Sequence, residues 1–164
     1  AKATIRSVTD TPLTAKPAPT GREVTIYLPM KVGNEWLLAP ETRRTDAEGG
    51  ILDAAIDALL TASREKGAAA DLIPKGARLL SPIKIADGVA KIDFSKEFVD
   101  NFSGGSEQEA LTLNSITHTL VNNSGGDVKK VQFLVEGKPA DTLGGHFELT
   151  EPIAADSTML KPGK

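Results

Sequence analysis

The pair Asp87-Gly88, set between the short runs 81–86 and 89–94, constrains the fold more than any other feature of the chain. Asp-Gly readily takes the positive backbone dihedrals of a type I′ turn, so it predicts a hairpin closed by a two-residue loop. Closing the ribbon there sets Ile85 opposite Ala90, Ile83 opposite Ile92 and Ser81 opposite Phe94. One face is then almost wholly apolar. A turn displaced by one residue would scatter those side chains over both faces, so turn chemistry and hydrophobic pattern support the same register.

A ribbon with one apolar face needs a second layer to cover it. Upstream, Val24 to Leu28 is a β-favouring run that Pro29 is expected to stop, and Glu35 to Ala39 returns after the Gly33-Asn34 turn signal. Ile51, Leu52, Ala55, Ile56, Leu59 and Leu60 then recur at helical spacing, with Asp53, Asp57 and Thr61 on the other side. Gly67 and its alanine-rich neighbours blur the end of that helix. Ser106-Glu107-Gln108-Glu109 has the form of a capping box, in which Ser106 would cap a second helix and Glu109 would reach back. Ala110, Leu111, Leu113, Ile116, Thr117 and Leu120 supply its apolar stripe, and 122–126 end it. Val128 to Val135 reads as a strand with Val131, Phe133 and Val135 on one face. The predicted order is β-β-α-β-β-α-β. It gives an α+β fold, a two-layer sandwich of a mostly antiparallel sheet with two helices on one face.

At 164 residues and 40% hydrophobic content the chain is the size of one domain with a continuous core. Aromatic residues make up 4%, so that core must be mainly aliphatic. Pro12, Pro17 and Pro19 mark 1–21 as an extended linker, in which 5–8 could still add an edge strand. The domain is expected over 22–153, and 154–164 is expected to trail off it. A net charge of −3 argues against a nucleic-acid partner, whose phosphates call for clustered Lys and Arg. The absence of cysteine excludes disulfides, thiolate metal sites and a thiol nucleophile. No apolar run reaches the roughly 18 residues that would span a bilayer.

Each residue with catalytic potential also has a structural use. Ser106, His118 and an acid such as Glu109 or Asp127 could be drawn as a hydrolase triad. Ser106 lacks a Gly-x-Ser-x-Gly elbow, however, and His118 follows twelve positions later on the same predicted helix, roughly 18 Å along its axis. His118 and His146 are the only histidines and do not cluster as metal ligands; a polar helix face is the expected home of His118. Ser103-Gly104-Gly105-Ser106 lacks the lysine and spacing of a phosphate-binding loop and reads as a lead-in to the cap. The acid pairs Glu107 with Glu109 and Asp93 with Glu97 read as surface charges. Neither catalytic residues, metal ligands nor a cofactor site are assigned. Four residues are candidates for an interface. Trp36 is either an exposed anchor or packed under the first helix, and Lys129 and Lys130 either protect a strand edge or meet an acidic partner. His146, after Gly144-Gly145, lies where the backbone can approach another segment closely and its ring can fix the loop.

The chain resembles the GerMN domain family of bacterial germination, sporulation and envelope lipoproteins. The resemblance is carried by Val24-Thr25-Ile26-Tyr27-Leu28, Ile73-Pro74-Lys75-Gly76, the hairpin residues 87–94, Gly105-Ser106-Glu107-Gln108-Glu109, Thr119-Leu120, residues 128–139, Leu143-Gly144-Gly145-His146 and Glu151-Pro152. It covers about 22–153. It implies a fold similar to the ring-building modules of secretion and sporulation machines, and a non-catalytic protein–protein interaction or assembly module with a link to sporulation or germination. It also implies a place outside the cytoplasmic membrane, with an envelope protein or a second copy as partner and contact with the membrane only through an N-terminal anchor missing from the chain. The alternative is a domain that binds cell-wall glycan or a small ligand through Trp36 and the glycine loops.

Overall fold

The computed structural model describes residues 21–65 and 72–161. The expected linker up to residue 20, including the 5–8 run, and the Gly67 region lie outside the described residues.

Strands β1 (Arg22–Val32) and β2 (Glu35–Thr45) form an antiparallel hairpin about Gly33-Asn34. Pro29 does not stop β1, contrary to expectation. It pairs with Leu38 at a position that, like those of Thr25 and Tyr27, turns its nitrogen away from β2, so the missing N–H removes no ladder bond. Helix α1 (Ile51–Ser63) buries Leu52, Ala55, Ile56, Leu59 and Leu60 of the expected stripe, whereas Ile51, at its first position, is exposed.

The second hairpin, β3 (Lys84–Ala86) with β4 (Val89–Phe94), turns at Asp87 and Gly88 with φ of 54° and 79°, and Ile85 faces Ala90. Beyond Lys84 the expected pairing fails. The Ile83 amide donates to Asp53 Oδ1 on α1 at 2.8 Å, and Leu79, not Ser81, bridges Phe94. The chain bows out by two residues around Pro82, which has no N–H to give. Because the slip is even, Ala90, Ile92 and Phe94 keep their inward face.

A short helical turn, α2 (Glu97–Asp100), precedes α3 (Ser106–Asn123). Strand β5 (Lys130–Val135) then pairs parallel with β4 on one side and antiparallel with β6 (Lys138–Pro139) and β7 (Ile153–Ala154) on the other. Lys129 and Lys130 therefore lead into a central strand, and the edge-protection reading of them is overturned. The class is α+β with mostly antiparallel pairing, and the strands divide into two sheets, β1-β2 and a five-stranded sheet centred on β5.

That division has a physical cause in α3. The free edge of β1 meets hydroxyl and amide side chains instead of another strand. Thr119 Oγ1 accepts from the Tyr27 amide and Asn123 Oδ1 from the Thr25 amide, while Ser115 Oγ donates to the Tyr27 carbonyl and Asn123 Nδ2 to the Thr25 carbonyl. Residues 115, 119 and 123 recur every four positions, so one stripe of the helix satisfies the edge. The adjacent stripe, Leu113, Ile116 and Leu120, enters a core in which Phe98 stacks on Phe94 at 4.1 Å and on Phe133 at 6.2 Å.

Residues 154–161 do not trail off the domain. β7 joins β5, a 3-10 turn spans Ser157–Met159, and the Lys161 amide donates to the Leu38 carbonyl at 2.7 Å.

Candidate functional site

The surface around the start of α3 gathers most of the unusual residues. The helix is capped by the Gly105 backbone, Ser106 is exposed, and no side chain makes a cap bond. The expected capping box is absent because Glu109 points inward. Its carboxylate is fully buried and accepts the amides of His146 and Phe147, each at 3.1 Å, and His146 Nδ1 at 2.9 Å. Burial would raise its pKa, but hydrogen bonds from the Gly144 amide, the His146 ring and the Phe147 and His146 amides reverse this and hold it below the usual carboxylate range. The ionised carboxylate also lies in the first turn of the helix, where the backbone dipole favours negative charge.

Close approach makes this arrangement possible. A Cβ on Gly144 would lie 2.4 Å from the Phe102 ring and 3.0 Å from Glu109 Oε1, so only glycine fits. The expected closely packed Gly-Gly-His loop is observed, and the His146 ring does fix it. Its outer surface carries a half-exposed imidazole and Phe147, which is 40% exposed.

On the other flank of the helix start, Pro29, Trp36, Leu111 and residues 105–108 line a groove of about 500 Å³. Trp36 is partly buried against the core, and the Lys31 ammonium lies 5.4 Å from its ring centroid. Met30 and Val32 are exposed on the neighbouring hairpin tip. A second depression of about 450 Å³, lined by Pro74, Lys75, Asn101 and residues 102–104, shares Gln108 with the first. Phe102, in its wall, packs against Gly144 of the Glu109-bound loop.

Trp36 and His146 thus lie on opposite flanks of the α3 N-terminus, whereas Lys129 and Lys130 lie beyond its C-terminus. Ser106 and His118 belong to one unbroken helix. His118 is buried, not on a polar face. Its ring packs 5.4 Å from Tyr27 and its Nε2 is 3.0 Å from the Asp156 carbonyl, so it holds the C-terminal segment. Asp93 accepts the Gly137 amide and Glu97 pairs with Arg78 at 3.8 Å. No group of three or more His, Asp or Glu side chains among the described residues could hold a metal ion. Phe102, Gln108 and Phe147 were not singled out by sequence. The Gly-Gly pair before His146-Phe147 was the available signal, since it marks where backbone is brought close and its successors are displayed.

No curated protein matches the chain. Among solved structures it is similar to a candidate lipoprotein from Clostridium perfringens, with 26% identity over 82% of this chain and 87% of that one and a TM-score of 0.57. It is also similar to the tandem GerMN domains of the sporulation protein GerM from Bacillus subtilis, with 26% identity over 90% of this chain and 51% of that one and a TM-score of 0.68. The first GerMN domain of GerM shares the fold at 20% identity, over 82% of this chain and 96% of that one, with a TM-score of 0.59. The profile of the family described as Germane, sporulation and spore germination, matches residues 19–141, from just before β1 to the approach of the Glu109-bound loop. The chain therefore belongs to the Germane family of sporulation and spore germination and is built as a GerMN-type domain.

Proposed function

We propose that this domain is a non-catalytic, extracytoplasmic module that binds another protein of the bacterial cell envelope, or a second copy of itself, during sporulation or germination. The observation that carries this reading is the display of Phe147. A fully buried carboxylate fixes the loop backbone while the aromatic ring beside it stays 40% exposed. A rigidly presented aromatic loses little entropy on binding, which is the character of an interface anchor. The similar candidate lipoprotein supports a place at the envelope, reached through an anchor upstream of residue 1. The reading is tested by sedimentation equilibrium over a rising concentration range together with capture from an envelope extract. A chain that remains monomeric and retains no envelope protein in a Phe147-dependent manner defeats it.

A second reading, cell-wall glycan or small-ligand binding, is favoured by one feature, the groove in which Trp36 faces residues 105–108. Titration with peptidoglycan fragments separates the two: a glycan ligand changes Trp36 fluorescence and releases heat, and neither change follows if the groove has no such role.

A further inference from the structure

The register of the second sheet brings the lysines of one hairpin, Lys84 and Lys91, beside a second pair, Lys129 and Lys130, from much later in the chain. Lys84 on β3 lies directly opposite Lys91 on β4, and Lys130 on β5 lies opposite Val89, two residues from Lys91. In both ladders these positions alternate with the inward-facing Ala90, Ile92, Val131 and Phe133, so Lys84, Lys91 and Lys130 share the outer face. Lys129 joins them at the turn, where its amide donates to the Gly88 carbonyl at 2.7 Å and its side chain runs beside Gly88. All four are exposed, and none is in an ion pair among the described residues. Asp87 and Asp127 border the patch, and the Asp93 carboxylate accepts the Gly137 amide.

Placing like charges directly across a ladder is unfavourable, and a chain of net charge −3 had carboxylates to alternate with them. Edge protection accounts for Lys84, on the outer strand, but not for Lys91 and Lys130 on inner strands. The array is also placed at a particular end of the molecule. Thr25 near the start of β1 is bonded to Asn123 at the end of α3, and the Val128 amide to Ser124 Oγ. The lysines therefore lie at the end where the chain enters the domain, away from Phe147 and Trp36.

We propose that Lys84, Lys91, Lys129 and Lys130 form a docking face for the anionic headgroups of a phospholipid bilayer. This rests on the envelope reading above. A chain tethered upstream of residue 22 brings this end to the bilayer and turns the Phe147 end outward. The face spans three adjacent strands, and ammonium groups on flexible stems can follow laterally mobile phosphates, whereas specific carboxylate recognition in a peptide favours the planar fork of arginine. Ile85, 44% exposed on the outer strand, lies opposite Ala90 and so on the other face of the ribbon, which leaves the outer face at this end to the lysines.

The test is co-sedimentation of the full chain with phosphatidylcholine vesicles, with and without phosphatidylglycerol, at low and at physiological salt. Binding is expected only to the anionic vesicles and should weaken with salt. Lys84→Gln/Lys91→Gln should lower the partition coefficient roughly thirtyfold, at about fivefold per charge removed. Lys96→Gln/Lys138→Gln, away from the face, should leave it unchanged, and circular dichroism with thermal melting confirms that both variants fold. Equal binding to neutral vesicles, or equal losses in the two double variants, overturns the proposal. So does retention on soluble poly-glutamate through the same lysines without vesicle binding, which would identify an acidic protein partner. Phe147-dependent capture from an envelope extract reports separately on the envelope reading, so loss of vesicle binding alone leaves that reading intact.

Discussion

The carboxylate of Glu109, at the start of α3, is bound by the backbone and ring of His146, 37 residues later in the chain, and both carboxylate oxygens face loop donors. The contact joins the helix start to the surface loop of the candidate site. With Gly105 at the cap position no side chain is there to cap the helix, and Glu109, the residue placed to reach back, is committed to a tertiary contact.

Glu109→Ala should destabilise the fold by about 2–3 kcal/mol, because it removes a charged acceptor from several donors at once. Glu109→Gln should cost less, about 1–2 kcal/mol at pH 7. Since the folded-state pKa is depressed, the ionised group contributes its full stability above the ordinary carboxylate range. That contribution is lost as pH falls through the lowered value. The gap between wild type and Glu109→Gln in urea unfolding should therefore be present at neutral pH and shrink as the pH falls below the ordinary carboxylate range toward the lowered value. Asp156, held low by the Thr158 hydroxyl and amide, titrates in both proteins and cancels in the difference.

Gly144→Ala should cost about 1–3 kcal/mol, because the new methyl meets the Phe102 ring. Phe102→Ala in the same chain should recover part of that loss. A double-mutant cycle in urea should give a coupling of at least about 0.5 kcal/mol, and additive losses would show that the clash is relieved elsewhere. At Gly145 nothing lies within 4 Å of an added methyl, and only its φ of 94° disfavours alanine.

The edge of β1 offers a third test. Thr119→Val keeps the shape of the side chain but removes the acceptor for the Tyr27 amide, so a loss of about 1–3 kcal/mol is expected, with faster hydrogen exchange at that amide. Asn123→Leu should cost more. It strands the Thr25 amide and carbonyl together and also removes a bond to the Thr119 carbonyl.

These residues show where the sequence was legible and where it was not. The Asp87-Gly88 turn, the apolar stripe of α1 apart from Ile51 and the start of the first hairpin follow from local chemistry. Ser115, Thr119 and Asn123 were missed because a helix that buries a polar stripe against a strand edge has no apolar period there. The capping box failed for a related reason. Local spacing favours a Ser106 cap, but the helix begins one residue earlier, with Gly105 at the cap position, and Glu109 turns inward to accept from His146 and Phe147. Pro82 and Asp53 likewise altered the β3 pairing through a contact across the fold. Of the candidate site, Trp36 and His146 were visible as unusual residues beside turns. Their positions on opposite flanks of one helix start depend on tertiary packing and could not be read from spacing.

Phe147→Ala gives the most direct test of the site's role, because it separates folding from binding. The ring is 40% exposed and the loop is held through the backbone amide, which alanine retains. Stability should therefore change by no more than about 0.5 kcal/mol. If Phe147 anchors a partner or a second copy, its removal should cost about 2 kcal/mol of binding, roughly a thirtyfold weaker dissociation constant. Sedimentation equilibrium or capture would register that change while the urea midpoint stays fixed. Glu109→Gln should reproduce part of the binding loss by loosening the loop, but with a shifted midpoint. A Phe147→Ala protein that associates as tightly as wild type would place the interface elsewhere.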